Sequence, residues 1–157
     1  MPDMLVKLRD LPDAEALSRH LRRQGVLVRP ARANEKHIVV EWVRRTFGER
    51  WASECDVAFA NRPVSCWIAA ENGQIVGFSC YESTCRDFFG PMGVKEALRG
   101  RGIGKALCLS CLQAMAQMGY AYAIIGSVGP ADFYATVAGA TLIEEASPGI
   151  HEAPLTG

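Results

Sequence analysis

The sequence predicts a mixed α/β (α+β) domain with one central sheet flanked by helices. Two observations support this fold class. The pair Asn72-Gly73 separates two apolar segments, and this dipeptide is the strongest short-range signal of a β-hairpin. In the second half, strand-like and helix-like segments alternate, as they do in a crossover unit of an α/β sheet. With 157 residues the chain is long enough to bury a core, and we predict one domain over residues 1–157.

The first 30 residues predict two short strands on either side of a helix. Residues 4–8 and 26–30 are apolar and favour strands. Residues 12–24 favour a helix that ends at Gly25. Because residues 1–25 precede the rest of the sheet, we expect them to form an extra unit, either an edge strand or an interaction arm.

Two further helices and the hairpin follow. Apolar side chains recur at helical spacing over residues 33–47, with Asn34 as the N-cap, and residues 49–61 predict another helix. The two hairpin strands are residues 65–70 and 74–83.

The second half adds a bent strand, a long helix and a buried strand. A proline cannot donate to a β-ladder, so the Gly90-Pro91 pair predicts a bulge or bend in its strand. The run 121–128 is continuously apolar, which is typical of a strand buried on both faces. Residues 148–157 predict a tail. The predicted elements here are the strands 86–94, 121–128 and 141–146 and the helices from Gly104 to about Gly119 and over 130–139.

Composition argues against several function classes. The chain has 17 basic and 17 acidic residues and a formal net charge of zero, so no global field attracts nucleic acid or an anionic membrane. No apolar run is long enough to span a membrane, and the first residues lack the apolar core of a signal peptide. We therefore expect a cytoplasmic protein that binds neither nucleic acid nor membrane.

The six cysteines do not predict a metal site. Only Cys108 and Cys111 share a C-x-x-C spacing, and neither a second pair nor a histidine lies nearby. On a helix both thiols lie on one side among Leu107, Leu112 and Met115, where buried cysteine packs as a small hydrophobe. We expect no metal.

The segment RGRGIGK, residues 99–105, has the composition of an anion-binding loop at the start of a helix. Its three glycines, Gly100, Gly102 and Gly104, let a ligand reach backbone N–H groups. The first turn of the helix has N–H donors without internal partners at the positive end of the macrodipole. A phosphate or pyrophosphate fits such a site, and the basic side chains add charge.

Two known phosphate-binding motifs do not fit this loop. The P-loop requires G-x-x-x-x-G-K-[ST], but Arg99 stands at the first glycine position and Ala106 lacks a hydroxyl. The dinucleotide motif G-x-G-x-x-G would need a glycine at Lys105 or at Leu107. The pattern that fits is R-x-x-G-x-G, which begins at Arg99.

MGVKEALRGRGIGKAL, followed by the strand AYAIIGS and by FYATVAGA, resembles the two signatures of the GNAT superfamily of N-acetyltransferases over about residues 65–146. The resemblance implies a mostly antiparallel sheet whose two central strands splay apart and admit the pantetheine arm of acetyl-CoA, the co-substrate. It implies that Met92 and Val94 offer backbone groups to the pantetheine. The residues that would hold the pyrophosphate are Arg99, Gly100, Arg101, Gly102, Ile103, Gly104 and Lys105.

By the same resemblance, Tyr134 protonates the departing CoA thiolate, although this residue also fits a core aromatic on an amphipathic helix. An amine would attack the thioester directly, and a backbone N–H near Met92 or Gly93 would stabilise the oxyanion. Many relatives carry a glutamate on the strand before the glycine loop, but FFGPMGV contains no acid. The general base stays open among Glu54, Asp56, Glu82, Asp87 and a relay through water.

The acceptor side would come from the N-terminal helices and the hairpin, whose large aromatics are Trp42, Trp51, Phe59, Trp67 and Tyr81. All of these residues belong to the core, or one or two of them form a platform for a sugar ring. EWVRRTFGERWASECDVAF and YAYAIIGSVGPADFY are similar to bacterial GNAT domains that acetylate amino sugars. We predict acetyl transfer to the primary amine of a small molecule, with an amino sugar as the leading acceptor. The alternative is a non-catalytic acyl-CoA-binding or regulatory module, and a homodimer is compatible with the resemblance.

Overall fold

Seven strands form one mixed sheet in the computed structural model, which describes residues 1–157. The strands are β1 (Met4–Lys7), β2 (Val26–Pro30), β3 (Cys66–Glu71), β4 (Gln74–Tyr81), β5 (Phe88–Val94), β6 (Tyr122–Ile125) and β7 (Thr141–Leu142). The helices are α1 (Ala14–Arg23), α2 (Lys36–Phe47), α3 (Glu49–Ala60), α4 (Ile103–Gln117) and α5 (Ala131–Ala138). None of these helices has the length and apolar character that a bilayer crossing requires.

The sheet is mostly antiparallel. Its strand order is β2-β3-β4-β5-β6-β1-β7, and every neighbouring pair is antiparallel except β5 and β6, which run parallel. Parallel neighbours need a crossover connection, and α4 provides it between β5 and β6. The predicted fold class is confirmed.

The N-terminal strand lies inside the sheet. β1 pairs with β6 on one side and with β7 on the other, and its side chains Met4 and Val6 are buried. α1 follows the strand and packs against α4 through Leu21, which is fully buried. The expected edge position of this unit is therefore wrong, because strand order in a sheet does not follow order in the sequence.

The hairpin and the bulge form where the sequence predicts them. Asn72 and Gly73 join β3 to β4 with positive φ angles of 52° and 75°, as a two-residue type I′ turn requires. Opposite Gly90-Pro91, the pairing of β4 with β5 shifts register between Ser79 and Tyr81. This shift is the predicted bulge.

Helices cover both faces of the sheet. α2 and α3 bury one face, where Val43 and Phe78 are fully buried. α1 and α4 cover the other face, and nine of the 15 residues of α4 are buried. Cys108 and Cys111 belong to this second core, and burial raises the pKa of both thiols. Their predicted packing role is confirmed.

Two local predictions are wrong. Asn34 does not cap α2, because residues 33–35 form a 3-10 turn and the Arg32 N–H donates to the Glu35 carboxylate instead. The run 121–128 is not a strand buried on both faces, since β6 ends at Ile125 and Tyr122 is 51% exposed. Ala123 and Ile125 are buried and alternate with the more exposed Tyr122 and Ile124, so only one face of the strand is buried.

Candidate active site

β5 and β6 separate after two residue pairs. The pairs are Phe88 with Ile124 and Phe89 with Ile125. Beyond Phe89, β5 continues to Val94 with β4 as its only neighbour, and the bulge bends the strand at this point. Because β6 ends at Ile125, the edge of β5 that faces away from β4 has no strand partner from Gly90 to Val94. We call the region beside this unpaired edge the opening.

The pairing of β5 with β4 decides which backbone groups face this opening. The Lys95 N–H donates to the Val76 carbonyl oxygen at 2.8 Å, and Gly93 lies opposite Phe78 two residues away. Hydrogen-bonded and non-hydrogen-bonded pairs alternate along an antiparallel ladder. Gly93 therefore bonds to β4, whereas the backbone groups of Met92 point toward the opening.

Val94 also turns its backbone toward the opening. Its carbonyl oxygen accepts a hydrogen bond from Arg99 Nε at 3.3 Å, which fixes this side chain beside the end of β5. The Val94 N–H and both backbone groups of Met92 stay free for a ligand. Gly93, which the sequence offered as an alternative oxyanion donor, is engaged with β4.

The N-terminus of α4 is uncapped. Gly102 occupies the N-cap with a φ of 86°, no side chain caps the helix, and its first turn contains no acid. The N–H groups of Ile103, Gly104 and Lys105 therefore have no side-chain partner. The Ile103 side chain is buried, so this residue offers only its backbone to a ligand. The arrangement can bind an anion.

The basic side chains of the glycine loop differ in their freedom. Arg101 Nη1 lies 3.1 Å from Glu71 Oε2 at the end of β3, so its guanidinium is tied to the hairpin. Lys105 is exposed and makes no ion pair. Gly100 has a φ of 84°, a conformation that glycine adopts without strain. The loop thus has one cation held by an ion pair and at least one free cation.

The start of α4 meets the end of β5 and the start of α5. A Cβ atom at Gly104 would lie 3.6 Å from Val94 Cγ2 and 3.7 Å from Phe133 Cζ. These are ordinary van der Waals distances, so the site tolerates one methyl group but not a bulky side chain. The opening, the uncapped helix and α5 therefore border one another.

Tyr134 lies beside the point where the pairing of β5 with β6 stops. Its ring packs edge-on against Phe89, the last residue of β5 that pairs with β6, at a centroid distance of 5.9 Å, and against Phe133 at 5.0 Å. The residue is 7% exposed, and its hydroxyl oxygen keeps some contact with solvent. Burial raises the pKa of the phenol. Tyr134 is therefore a core aromatic that also carries a protonated hydroxyl.

An aromatic cluster occupies the opposite face of the sheet. It consists of Trp42, Phe47, Trp51 and Phe78, whose ring centroids lie 5.2 to 6.2 Å apart in the contacting pairs. Phe47 lies directly over Gly93, because a Cβ atom there would stand only 2.4 Å from Phe47 Cζ. Trp51 is 36% exposed. The cluster therefore extends from β5, where Phe47 covers Gly93, to the protein surface at Trp51.

Only two of the five large aromatic residues that the sequence offered for the acceptor side lie together in the structure. Trp42 and Trp51 belong to the cluster, but Phe59 is core and Trp67 packs with the residues under α4. Tyr81 is buried in the core that includes Tyr134. Sequence reasoning missed Phe47, whose proximity to Gly93 arises from the turn between α2 and α3.

The candidate bases lie outside the segment of β5 that faces the opening. Asp56 forms an exposed ion pair with Lys36 at 2.8 Å, beside an open surface cavity of about 560 Å³. Glu82 accepts the Asp87 N–H at 3.0 Å. Asp87 Oδ1 has no hydrogen-bond partner, and burial raises the pKa of this carboxyl. Glu54 is half-buried on α3. The structure gives none of these acids a contact with the opening.

A sequence profile of the acetyltransferase (GNAT) family matches residues 36–136. This span exceeds half of the chain and includes the glycine loop and Tyr134. The chain belongs to the GNAT family of N-acetyltransferases. No curated protein matches its sequence.

Solved structures share the fold over 90% of the chain. A region of a fungal multi-domain GH3 β-N-acetylglucosaminidase, described as a GCN5-related glucosamine N-acetyltransferase, has a TM-score of 0.72 at 16% identity, and the alignment covers 19% of that chain. A GCN5-related N-acetyltransferase from Sphaerobacter thermophilus has a TM-score of 0.69 at 21% identity and is covered over 48% of its length. Our chain thus spans about a fifth and about half of these proteins. At such identities the likeness shows the fold.

Proposed function

We propose that the protein transfers the acetyl group of acetyl-CoA directly to the primary amine of a small molecule. The observation that carries this proposal is the opening between β5 and β6, which borders the uncapped N-terminus of α4. The N-terminus of α4 at one end of the opening suits an anion, and β5, which borders the opening, offers unpaired backbone groups. A CoA thioester combines a pyrophosphate with an amide-containing arm, so its chemistry matches both parts.

The pyrophosphate binds at the start of α4. The N–H groups of residues 102–105 donate to its oxygens, and the helix macrodipole and Lys105 favour its negative charge. Arg101 contributes its backbone, since its side chain is held by Glu71. Arg99 lies at the junction between this anion site and β5. The loop therefore binds mainly through the main chain.

The pantetheine arm lies in the opening and pairs with β5. Its amides can exchange hydrogen bonds with the free backbone groups of Met92 and Val94, in the way a neighbouring strand would. This pairing aligns the thioester along β5 toward the bulge. Positioning of both reactants then lowers the entropic barrier to their reaction.

The transfer itself is an acyl substitution. The neutral amine nitrogen attacks the thioester carbon, and the Met92 N–H stabilises the oxyanion. The C–S bond breaks as the C–N bond completes, and the sulfur takes the proton of the Tyr134 hydroxyl. The ammonium proton passes to water, because β5 presents no acid to the opening. Amide and free CoA leave, and water restores the tyrosine proton.

The acceptor enters from the face that carries the aromatic cluster. Phe47 covers Gly93 and contacts Trp51 at 5.2 Å, so a partly exposed aromatic surface borders the middle of β5. A sugar ring packs its apolar face on such a surface. The fungal region with the same fold is described as a glucosamine N-acetyltransferase. An amino sugar is therefore our proposed acceptor class.

Two measurements test this function. Acetyl-CoA and CoA should raise the melting temperature of the purified protein, whereas ATP and NAD should not. Free thiol and acetylated product should then appear with amino sugars in a panel that also contains polyamines, amino acids and peptides. Stabilisation by CoA without turnover of any amine would indicate a non-catalytic acyl-CoA-binding module. A shift with ATP or NAD alone would contradict the donor site.

A further inference from the structure

Three cysteine thiols meet in the core between α3 and the sheet. Cys55 belongs to α3, whereas Cys66 and Cys80 belong to β3 and β4. Their sulfur atoms all lie within 4.8 Å of one another. The three residues are fully buried, and all of them are free thiols. Their separation along the sequence gave no sign of this cluster.

The strand register brings two of the thiols together. The Tyr81 N–H donates to the Ser65 carbonyl oxygen at 3.0 Å, so the next pair, Cys66 and Cys80, is a non-hydrogen-bonded pair. In such pairs the Cα atoms approach to about 4.5 Å and the side chains are close. Both side chains point to the face covered by α3, where Cys55 completes the cluster.

The surroundings of the cluster are apolar. Val43, Phe59, Ile68 and Phe78 belong to the same core, and no histidine or carboxylate joins the three sulfur atoms. The nearest acid in sequence, Asp56, is exposed and paired with Lys36. The cluster thus offers three sulfur ligands and no fourth group.

We propose that Cys55, Cys66 and Cys80 form a three-coordinate site for a soft, thiophilic metal cation, with Cu(I) as its representative. Sulfur ligands select soft cations. With metal–sulfur bonds of about 2.3 Å, three sulfur atoms around a trigonal ion lie about 4.0 Å apart, and the cluster reaches this spacing by small side-chain rotations. Structural zinc takes four ligands, so the cluster fits it less well.

Binding at this cluster would be coupled to loss of protons. Cysteine binds a metal as its thiolate, so uptake of Cu(I) by Cys55, Cys66 and Cys80 releases the protons of the thiols that coordinate it.

A bound cation would join α3 to the two strands beneath it. Trp51 lies one turn before Cys55 on α3, and Phe78 lies two residues before Cys80 on β4. The metal would therefore stiffen the support of the aromatic cluster. We expect a higher melting temperature and slower amide exchange in α3 once the metal is bound.

The test uses the full reduced chain under anaerobic conditions. Cu(I) is supplied as its acetonitrile complex and competes with a chromophoric Cu(I) chelator. We expect one Cu(I) per chain and an X-ray absorption spectrum with three sulfur atoms at about 2.3 Å. Cys80→Ser should weaken binding by more than about 100-fold. Cys108→Ser, which alters another fully buried thiol, should bind Cu(I) as the parent protein does.

Several results would overturn the proposal. Equal Cu(I) affinity in the parent and in Cys80→Ser would place the metal elsewhere, as would loss of binding in Cys108→Ser. Failure of the parent chain to compete with the chelator would show that the thiols only pack. If Cys80→Ser does not fold, Cys55→Ala replaces it in the affinity measurement, and the X-ray absorption spectrum of the parent gives the number of ligands. Fewer than three sulfur ligands around Cu(I) would contradict the site, and so would tight binding of zinc with four ligands.

Discussion

Replacement of Tyr134 by phenylalanine separates its two roles, because it removes the hydroxyl and keeps the ring. The ring contacts with Phe89 and Phe133 at 5.9 and 5.0 Å do not involve the oxygen. If Tyr134 is only a core aromatic, the variant should be as active as the parent. If it protonates the CoA thiolate, kcat should fall while the structure stays intact.

The structure sets the size of both effects. No hydrogen bond is lost with the hydroxyl, so the free energy of unfolding should change by less than about 1 kcal/mol, or about 2–4 °C in melting temperature. Loss of a general acid lowers kcat by about 10²-fold or more, which is about 2.7 kcal/mol at 1.36 kcal/mol per tenfold change. The KM for acetyl-CoA should stay within a few-fold, since the proposed donor site consists of the loop and β5.

The assay follows release of free CoA thiol with an accepting amine from the panel. Tyr122→Phe is the control, because it makes the same chemical change on a half-exposed residue of β6. Burial raises the pKa of Tyr134, so its phenol stays protonated between about pH 7 and 9. The kcat ratio of parent to variant should therefore be constant over this range.

Two outcomes would refute the reasoning. A loss of kcat below about three-fold would assign Tyr134 to the core alone, because general acids contribute at least about 10². A ratio that falls as the pH rises from about 7 to 9 would mean that the phenol ionises near its ordinary pKa of about 10 or below, against the effect of burial.

Three further predictions concern the loop, a charged pair and a close contact. Gly102→Val should weaken acetyl-CoA binding about tenfold in calorimetry, since a φ of 86° strains a β-branched residue by about 1–2 kcal/mol; unchanged affinity would contradict the anion site. Hydrogen bonds from Arg29 lower the pKa of Glu35 to about 2, so this pair stabilises the protein above about pH 4.5 and loses that effect as the pH falls through about 2. Glu35→Gln should lower the free energy of unfolding at neutral pH by about 1 kcal/mol. In urea unfolding measured from about pH 4.5 down to about 2, the variant should lose less stability than the parent. Equal losses would refute the role of the pair. Gly93→Ala should destabilise by about 1–3 kcal/mol, because its Cβ would lie 2.4 Å from the Phe47 ring, and an unchanged melting temperature would show that the ring moves freely.

The candidate donor site was predictable because it is local. The glycine loop, the helix that follows it and the strand before it are contiguous in residues 88–117, and each follows from short-range rules for glycine, proline and helix termini. The roles of Met92, Tyr134 and the loop residues in binding and catalysis stay predictions. The pairing of Arg101 with Glu71 was not predictable, because it joins residues 30 positions apart.

The acceptor side was much less predictable. Large aromatics in the sequence gave candidates, but only the packing of α2 and α3 on the sheet separates the cluster around Phe47 from core residues such as Phe59. The proximity of Cys55, Cys66 and Cys80 arises from a helix and two strands together. A spacing rule such as C-x-x-C detects ligands on one element only.

The sequence by itself determined the α/β class, the Asn72-Gly73 turn, the bulge and the glycine loop at the start of α4, since the backbone preferences of a few adjacent residues specify each of them. Only the tertiary structure decided that β1 lies between β6 and β7, that β5 and β6 separate after Phe89, and which side chains line each face. The physical reason is that strand order and register depend on how apolar surfaces from distant segments are buried together. That choice is made by the whole core and not by any segment alone.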